Sequence, residues 1–103
     1  MYQVVLCNCP SRMVAEQIAE QLVTEQLAAC VNLMPGITSV YQWQGKIEKE
    51  DEVLLFIKTS AEIFDELSAR IEALHPYEVP EVIALDIQQG NSAYLDWIAG
   101  SLK

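Results

Sequence analysis

Apolar residues recur along this chain with two different periods, and the switches between them mark out its elements. Tyr2 to Cys9 alternates, with Val5, Cys7 and Cys9 on one face and Val4, Leu6 and Asn8 on the other. This reads as an inner strand covered on one side and ended by Pro10. From Arg12 to about Leu27 the period becomes helical. Ala15, Ile18, Ala19, Leu22 and Val23 recur at three- and four-residue spacing, Glu16, Gln17, Glu20, Gln21 and Glu25 take the other face, and Ser11 is a good N-cap. Ala28 to Met34 is a second strand. Pro35-Gly36 predicts a turn or bulge there, because proline cannot donate to a ladder.

Ile37 to Thr59 reads as two long strands folded back on each other through Gly45-Lys46. Each arm is about ten residues, against the usual five or six. The first arm is rich in aromatic and β-branched residues. The second starts charged, over Lys46 and Glu48 to Glu52, and turns apolar over Val53 to Ile57. The charged part predicts a solvated stretch and the apolar part a central strand. A chain of 103 residues has few other elements to cover both arms, and a long, partly apolar edge strand invites pairing with another chain. The hairpin therefore predicts association with further copies, with Tyr41 and Trp43 as interface residues.

Ser60 can cap a second helix from Ala61 to about Leu74, where Phe64, Leu67, Ile71 and Leu74 form a core stripe. His75-Pro76 ends it, since the residue before proline disfavours helical dihedrals. Tyr77 to Pro80 is a rigid extended connector, Glu81 to Ile87 the last strand and Gln88 to Asn91 a turn. Asn91 or Ser92 then caps a short terminal helix carrying Tyr94, Leu95, Trp97, Ile98 and Leu102. Two aromatics on so short a helix predict that it docks, in this chain or on a neighbour, and make Trp97 a third interface candidate. The order β-α-β-β-α-β predicts an α+β, ferredoxin-like split β-α-β sandwich spanning residues 1–103 as a single domain.

Composition narrows the function classes. Acidic residues outnumber basic ones 15 to 6, for a net charge of −9, which argues against nucleic-acid binding because phosphate contacts need clustered Lys and Arg. An acidic surface permits attraction of cations and also serves solubility. No apolar run approaches the roughly 18 residues of a membrane span, and the start of the chain lacks the basic region of a signal peptide. Three cysteines without an export signal predict free thiols in a reducing cytoplasm.

Catalytic motifs are absent: there is no G-x-S-x-G, P-loop or G-x-G-x-x-G, and His75 is the only histidine. The chain is therefore read as a binding protein and not an enzyme. Cys7 and Cys9 form a C-x-C pair whose thiolates suit soft Cu(I), with an imidazole to complete the set, although buried free cysteines also serve simply as small hydrophobes. His75 reads equally as a helix C-terminal residue facing the last carbonyls. Cys30 reads as core. Glu78 and Glu81, held by the connector, can face a cleft as oxygen ligands or act as surface charges. Tyr41 and Trp43 can line an inter-subunit pocket or pack the hairpin.

Several stretches resemble the CutA family of divalent-cation-tolerance proteins: VVLCNCPS, LAACVNLMPGITSVYQWQGKIE, EVLLFIKT, HPYEVPEVIAL and YLDWI, in order and over nearly the whole chain. The resemblance implies a ferredoxin-like fold in a tight homotrimer of PII-like architecture, with the long hairpins joining sheets between neighbours. It implies a cytoplasmic role in tolerance or homeostasis of copper and other divalent cations, with no established enzymatic reaction; animal relatives have been tied to acetylcholinesterase anchoring. It maps the family's proposed copper ligands onto Cys7 and His75. Some members carry two consecutive histidines where this chain has Leu74-His75, so one potential ligand is missing. The alternative implied is a PII-like regulatory or scaffolding trimer that binds a small molecule or a partner protein at inter-subunit clefts.

Overall fold

A computed structural model describes all residues from Met1 to Lys103. Its elements are β1 (Tyr2–Cys9), α1 (Arg12–Thr24), β2 (Cys30–Trp43), β3 (Lys46–Ser60), a 3-10 turn (Ala61–Ile63), α2 (Phe64–Leu74), β4 (Ile83–Asp86) and α3 (Ser92–Ser101). The strands form one sheet in the order β2-β3-β1-β4, with every neighbouring pair antiparallel. This is the split β-α-β arrangement that the order of elements predicts.

The alternation in β1 has the expected consequence. Val5, Cys7 and Cys9 are fully buried, opposite Ile57, Leu55 and Val53 of β3. Ala15, Ile18 and Leu22 of α1 and Leu67 and Ile71 of α2 close over them, making one core on one face of the sheet. Ser11 caps α1 by accepting from the Val14 amide at 3.2 Å, and Asn91 caps α3 by accepting from the Tyr94 amide at 3.0 Å. Ser60 precedes the 3-10 turn and makes no side-chain cap.

Several boundaries differ from those expected. Helix α1 stops at Thr24, a turn short of Leu27, because Gln26 adopts a left-handed φ of 60°. The Gln26 amide bonds Val23 O and the Leu27 amide bonds Leu22 O, so the helix closes as a Schellman motif with Leu27 folded onto the core. The hairpin turn lies at Gln44-Gly45, one residue earlier than expected. Trp43 pairs with Lys46, and both turn residues have positive φ, 51° and 80°, as a type I′ turn requires. The last strand is shorter, Ile83–Asp86, since the preceding connector runs beside the hairpin instead of joining the ladder. Pro35-Gly36 produces a bulge: β2 continues through it, with a register shift between Met34 and Ile37 and Gly36 at φ 82°.

The far half of the hairpin extends past the sheet. Strand β1 pairs with β3 only from Val53 onward, so residues 46–52 pair with β2 alone. The molecule is accordingly elongated, 45 × 25 × 22 Å. The sheet face opposite α1 and α2 presents Leu6, Leu54 and Phe56 half-buried, flanked by Met34, Ile83 and Leu85 at 49%, 51% and 54% exposure. Helix α3 meets this face where Tyr94 contacts Cys30. Cys30 therefore differs from its expected core position: it is half-buried beside Lys58.

Two outcomes test these assignments. Leu55, fully buried at the middle of β3 and paired on both sides, is expected to lose about 2–5 kcal/mol on substitution by Ala, read from urea unfolding, and to give no folded protein as Leu55→Pro. Gln26→Gly relieves the left-handed strain and is expected to raise stability by about 1 kcal/mol; no gain would remove Gln26 as the helix stop.

Candidate metal centre and adjoining cleft

The C-x-C pair and the single histidine, far apart in sequence, come together. One ligand atom from each of Cys7, Cys9 and His75 lies within 4.8 Å of the others, and all three residues are buried. Two sulfurs bound to one metal at about 2.3 Å each are at most about 4.6 Å apart, so the spread is close to ligation geometry and needs a small contraction. The cysteines reach the same side because β1 is pleated. His75 reaches them because α2 ends there: its C-cap backbone is extended (φ −80°, ψ 137°) and its amide still bonds Ile71 O at 2.8 Å.

The imidazole is already fully engaged. Its Nδ1 accepts from the Tyr77 amide at 3.1 Å, which leaves Nε2 as the proton-bearing nitrogen donating to Asn8 O at 2.7 Å. The ring thus locks the connector to the end of β1. Metal ligation by His75 requires one of these bonds to be released, at a cost of about 1 kcal/mol. Leu74, which precedes it, packs against the core.

The two thiols differ. Interaction with Cys9 and burial push the Cys7 thiol well above its ordinary range, with Glu81 and Glu52 adding to the rise. The same interaction draws Cys9 down, against its own burial. Loading a metal ion here would require both thiols to give up their protons. Two thiolates and an imidazole form a donor set for a soft or borderline ion such as copper.

Across β1 lies a cleft of about 570 Å³. Glu48, Glu50 and Glu52 of β3, with Tyr41 and Trp43 of β2, form one wall, and Tyr77 to Val79 and Glu81 of the connector form the other. Asn8 also lines it. The charged half of the hairpin is thus only partly solvated as expected, because Glu52 is just 6% exposed. Its carboxylate accepts from Tyr77 Oη at 2.6 Å and from Asn8 Nδ2 at 3.5 Å. Burial and the nearby Glu52 carboxylate raise the Tyr77 hydroxyl, and partial burial with Glu52 raises Glu81. Glu78 and Glu81 do face a cleft, and Tyr41 and Trp43 line it while remaining exposed. Trp97 stands apart on α3, exposed and stacked on Tyr94 at 5.7 Å between ring centroids. The burial of Glu52 was invisible in a charge run, since it depends on Tyr77, 25 residues away.

The architecture and the sequence both find relatives. The profile of a family described as CutA1 divalent ion tolerance protein matches residues 3–101. A divalent-cation tolerance protein CutA from Thermus thermophilus is 53% identical over 98 residues, covering 95% of either chain. A solved structure of the divalent cation tolerance protein Cut A1 from Thermus thermophilus superposes with a TM-score of 0.97 at 50% identity, covering all of both chains. The structure of a protein described as the periplasmic divalent cation tolerance protein CutA from Archaeoglobus fulgidus gives 0.97 at 38% identity, again over both whole chains. The chain spans about half the length of the mouse and human CutA proteins it matches, 51% of each, at 52% identity. Fold, sequence and coverage agree, and the chain belongs to the CutA1 divalent ion tolerance protein family.

Proposed function

We propose that this protein is a metal-binding homotrimer that contributes to copper and divalent-cation tolerance, taking up one ion per chain through Cys7, Cys9 and His75. The observation that carries this reading is the convergence of the three donors within 4.8 Å. A buried, electron-rich set of this kind suits copper better than a hard cation. Cys9 joins the two ligands expected from the sequence and takes the place left by Leu74. Because the donors start protonated or hydrogen-bonded, the site binds weakly and releases protons on loading. The protein acts by binding and not by catalysis, a role supported by the engagement of both nitrogens of its only imidazole. We place it in the cytoplasm, where a reducing milieu keeps the thiols free.

Assembly is supported by the open sheet face and the overhanging hairpin. Leu6, Leu54 and Phe56 with Met34, Ile83 and Leu85 form a contiguous apolar surface that neither α1 nor α2 covers, and apolar faces of this kind mark protein interfaces. Tyr41 and Trp43 on the overhang, and Trp97 on α3, serve as further contacts in this arrangement. One observation favours the alternative of a regulatory trimer that binds a small molecule between subunits: the acidic, aromatic-lined cleft on the same overhang.

Native mass spectrometry of the reduced protein with Cu(I), Cu(II) and Zn(II) tests metal and assembly together. The expected result is a trimer carrying one copper ion per chain, with copper lost in Cys7→Ala and Cys9→Ala and weakened in His75→Gln. Undiminished copper in a Cys7→Ala/Cys9→Ala double variant would sink the site. For assembly, Leu85→Glu on the open face is expected to yield monomers, while Met13→Glu, also exposed but on α1, leaves the trimer intact; light scattering distinguishes the two.

A further inference from the structure

We propose that the cleft between the hairpin overhang and the connector is a binding site for a polyamine, an organic cation carrying several ammonium groups. This role is separate from the thiol cluster and does not depend on it. Five carboxylates line the cleft, those of Glu48, Glu50, Glu52, Glu78 and Glu81, and no Lys, Arg or His lies among its lining residues. Glu52 is the most informative. It is a buried carboxylate with neutral hydrogen-bond donors on it and no cationic group within ion-pair distance. A buried charge is ordinarily matched by an opposite one. Beside it Asn8 Oδ1 is buried with no donor from the chain. Glu52 thus lines the cleft as a buried carboxylate without a cationic partner.

The rest of the lining selects the kind of cation. A hard metal ion needs several carboxylate oxygens at one point. Here they do not converge: the thiol cluster is the one place where three ligating atoms come together. Instead, Glu48, Glu50 and Glu52 alternate along one face of β3, about 7 Å from one to the next by strand geometry. Such a row suits ammonium groups separated by short methylene chains, each meeting its own carboxylate. Tyr41 pairs with Glu48 across the hairpin, and Tyr41, Trp43 and Tyr77 line the cleft with the row. Aromatic faces attract ammonium groups and pack against methylenes, two properties a hydrated metal ion cannot exploit. The cleft volume of about 570 Å³ falls within the range of small-molecule sites.

Isothermal titration of the assembled protein with spermidine, at fixed ionic strength and with Mg(II) as competitor, tests the assignment. The expected result is saturable binding, one spermidine per cleft, weakened about tenfold or more in Glu52→Gln and in Trp43→Ala and not displaced by equimolar Mg(II). Cys7→Ala is expected to bind spermidine as the unaltered protein does, which separates this site from the copper site. Where Trp43→Ala fails to assemble, a Glu48→Gln/Glu50→Gln double variant must show the same loss. Three results would each overturn the proposal: no saturable binding, equal binding in all variants, which marks diffuse attraction to a chain of net charge −9, or displacement by equimolar Mg(II), which marks a hard-metal site.

Discussion

The pairing of β3 sets the terms for the rest of the molecule. From Val53 to Ser60 this strand has β1 on one side, and β2 flanks it on the other as far as Lys58; its alternate residues Val53, Leu55 and Ile57 form the floor of the core. From Lys46 to Glu52 it has β2 alone. A strand that is central over one half and unsupported on one side over the other must do two jobs. The first half organises the hydrophobic core. The second half projects as an overhang with no strand partner on its β1 side.

The pleat of β1 separates two chemistries that would otherwise interfere. Cys7 and Cys9 point toward the helices, where both are buried and interact with each other, while Asn8 between them points to the opposite face. Asn8 links both sides: its carbonyl accepts from His75 and its side-chain amide donates to Glu52. His75 in turn fixes Tyr77, whose hydroxyl holds Glu52. A closed ring of hydrogen bonds through Asn8, His75, Tyr77 and Glu52 therefore joins the thiol side to the acidic cleft without an ion pair in it. It makes the connector, which has no regular structure, a defined wall.

Charge follows the same division. The thiol side offers soft donors in a dry setting, where only an ion that removes protons and binds sulfur strongly repays desolvation. The cleft side offers spaced carboxylates next to aromatic rings in an open setting, where a large, diffuse cation keeps part of its hydration. The two readings of function, metal tolerance and small-molecule response, thus rest on opposite faces of one strand. The apolar surface of Leu6, Phe56 and Leu85 lies on the same face of the sheet as the cleft.

Much of the fold was legible from residue order. Period two in β1, the helical stripes of α1 and α2, the bulge at Pro35-Gly36 and the Asn91 cap are local consequences of side-chain shape and backbone freedom, and they stand in the sequence. At two of the moved boundaries a residue adopted a conformation its type does not advertise: Gln26 ends α1 and Gln44 opens the hairpin turn, both at positive φ where glycine or asparagine is the usual signal. The candidate centre was legible only as residue types. Cys7, Cys9 and His75 were suspects by chemistry, but their meeting depends on α2 returning to the end of β1, a contact across 67 residues. Glu52 looked like one more solvated charge, and only the docking of Tyr77 buries it. Sequence by itself determined what was locally encoded, the elements and their apolar faces. Tertiary structure alone decided which polar groups lose water, because desolvation is a property of neighbours brought from afar and not of the residue.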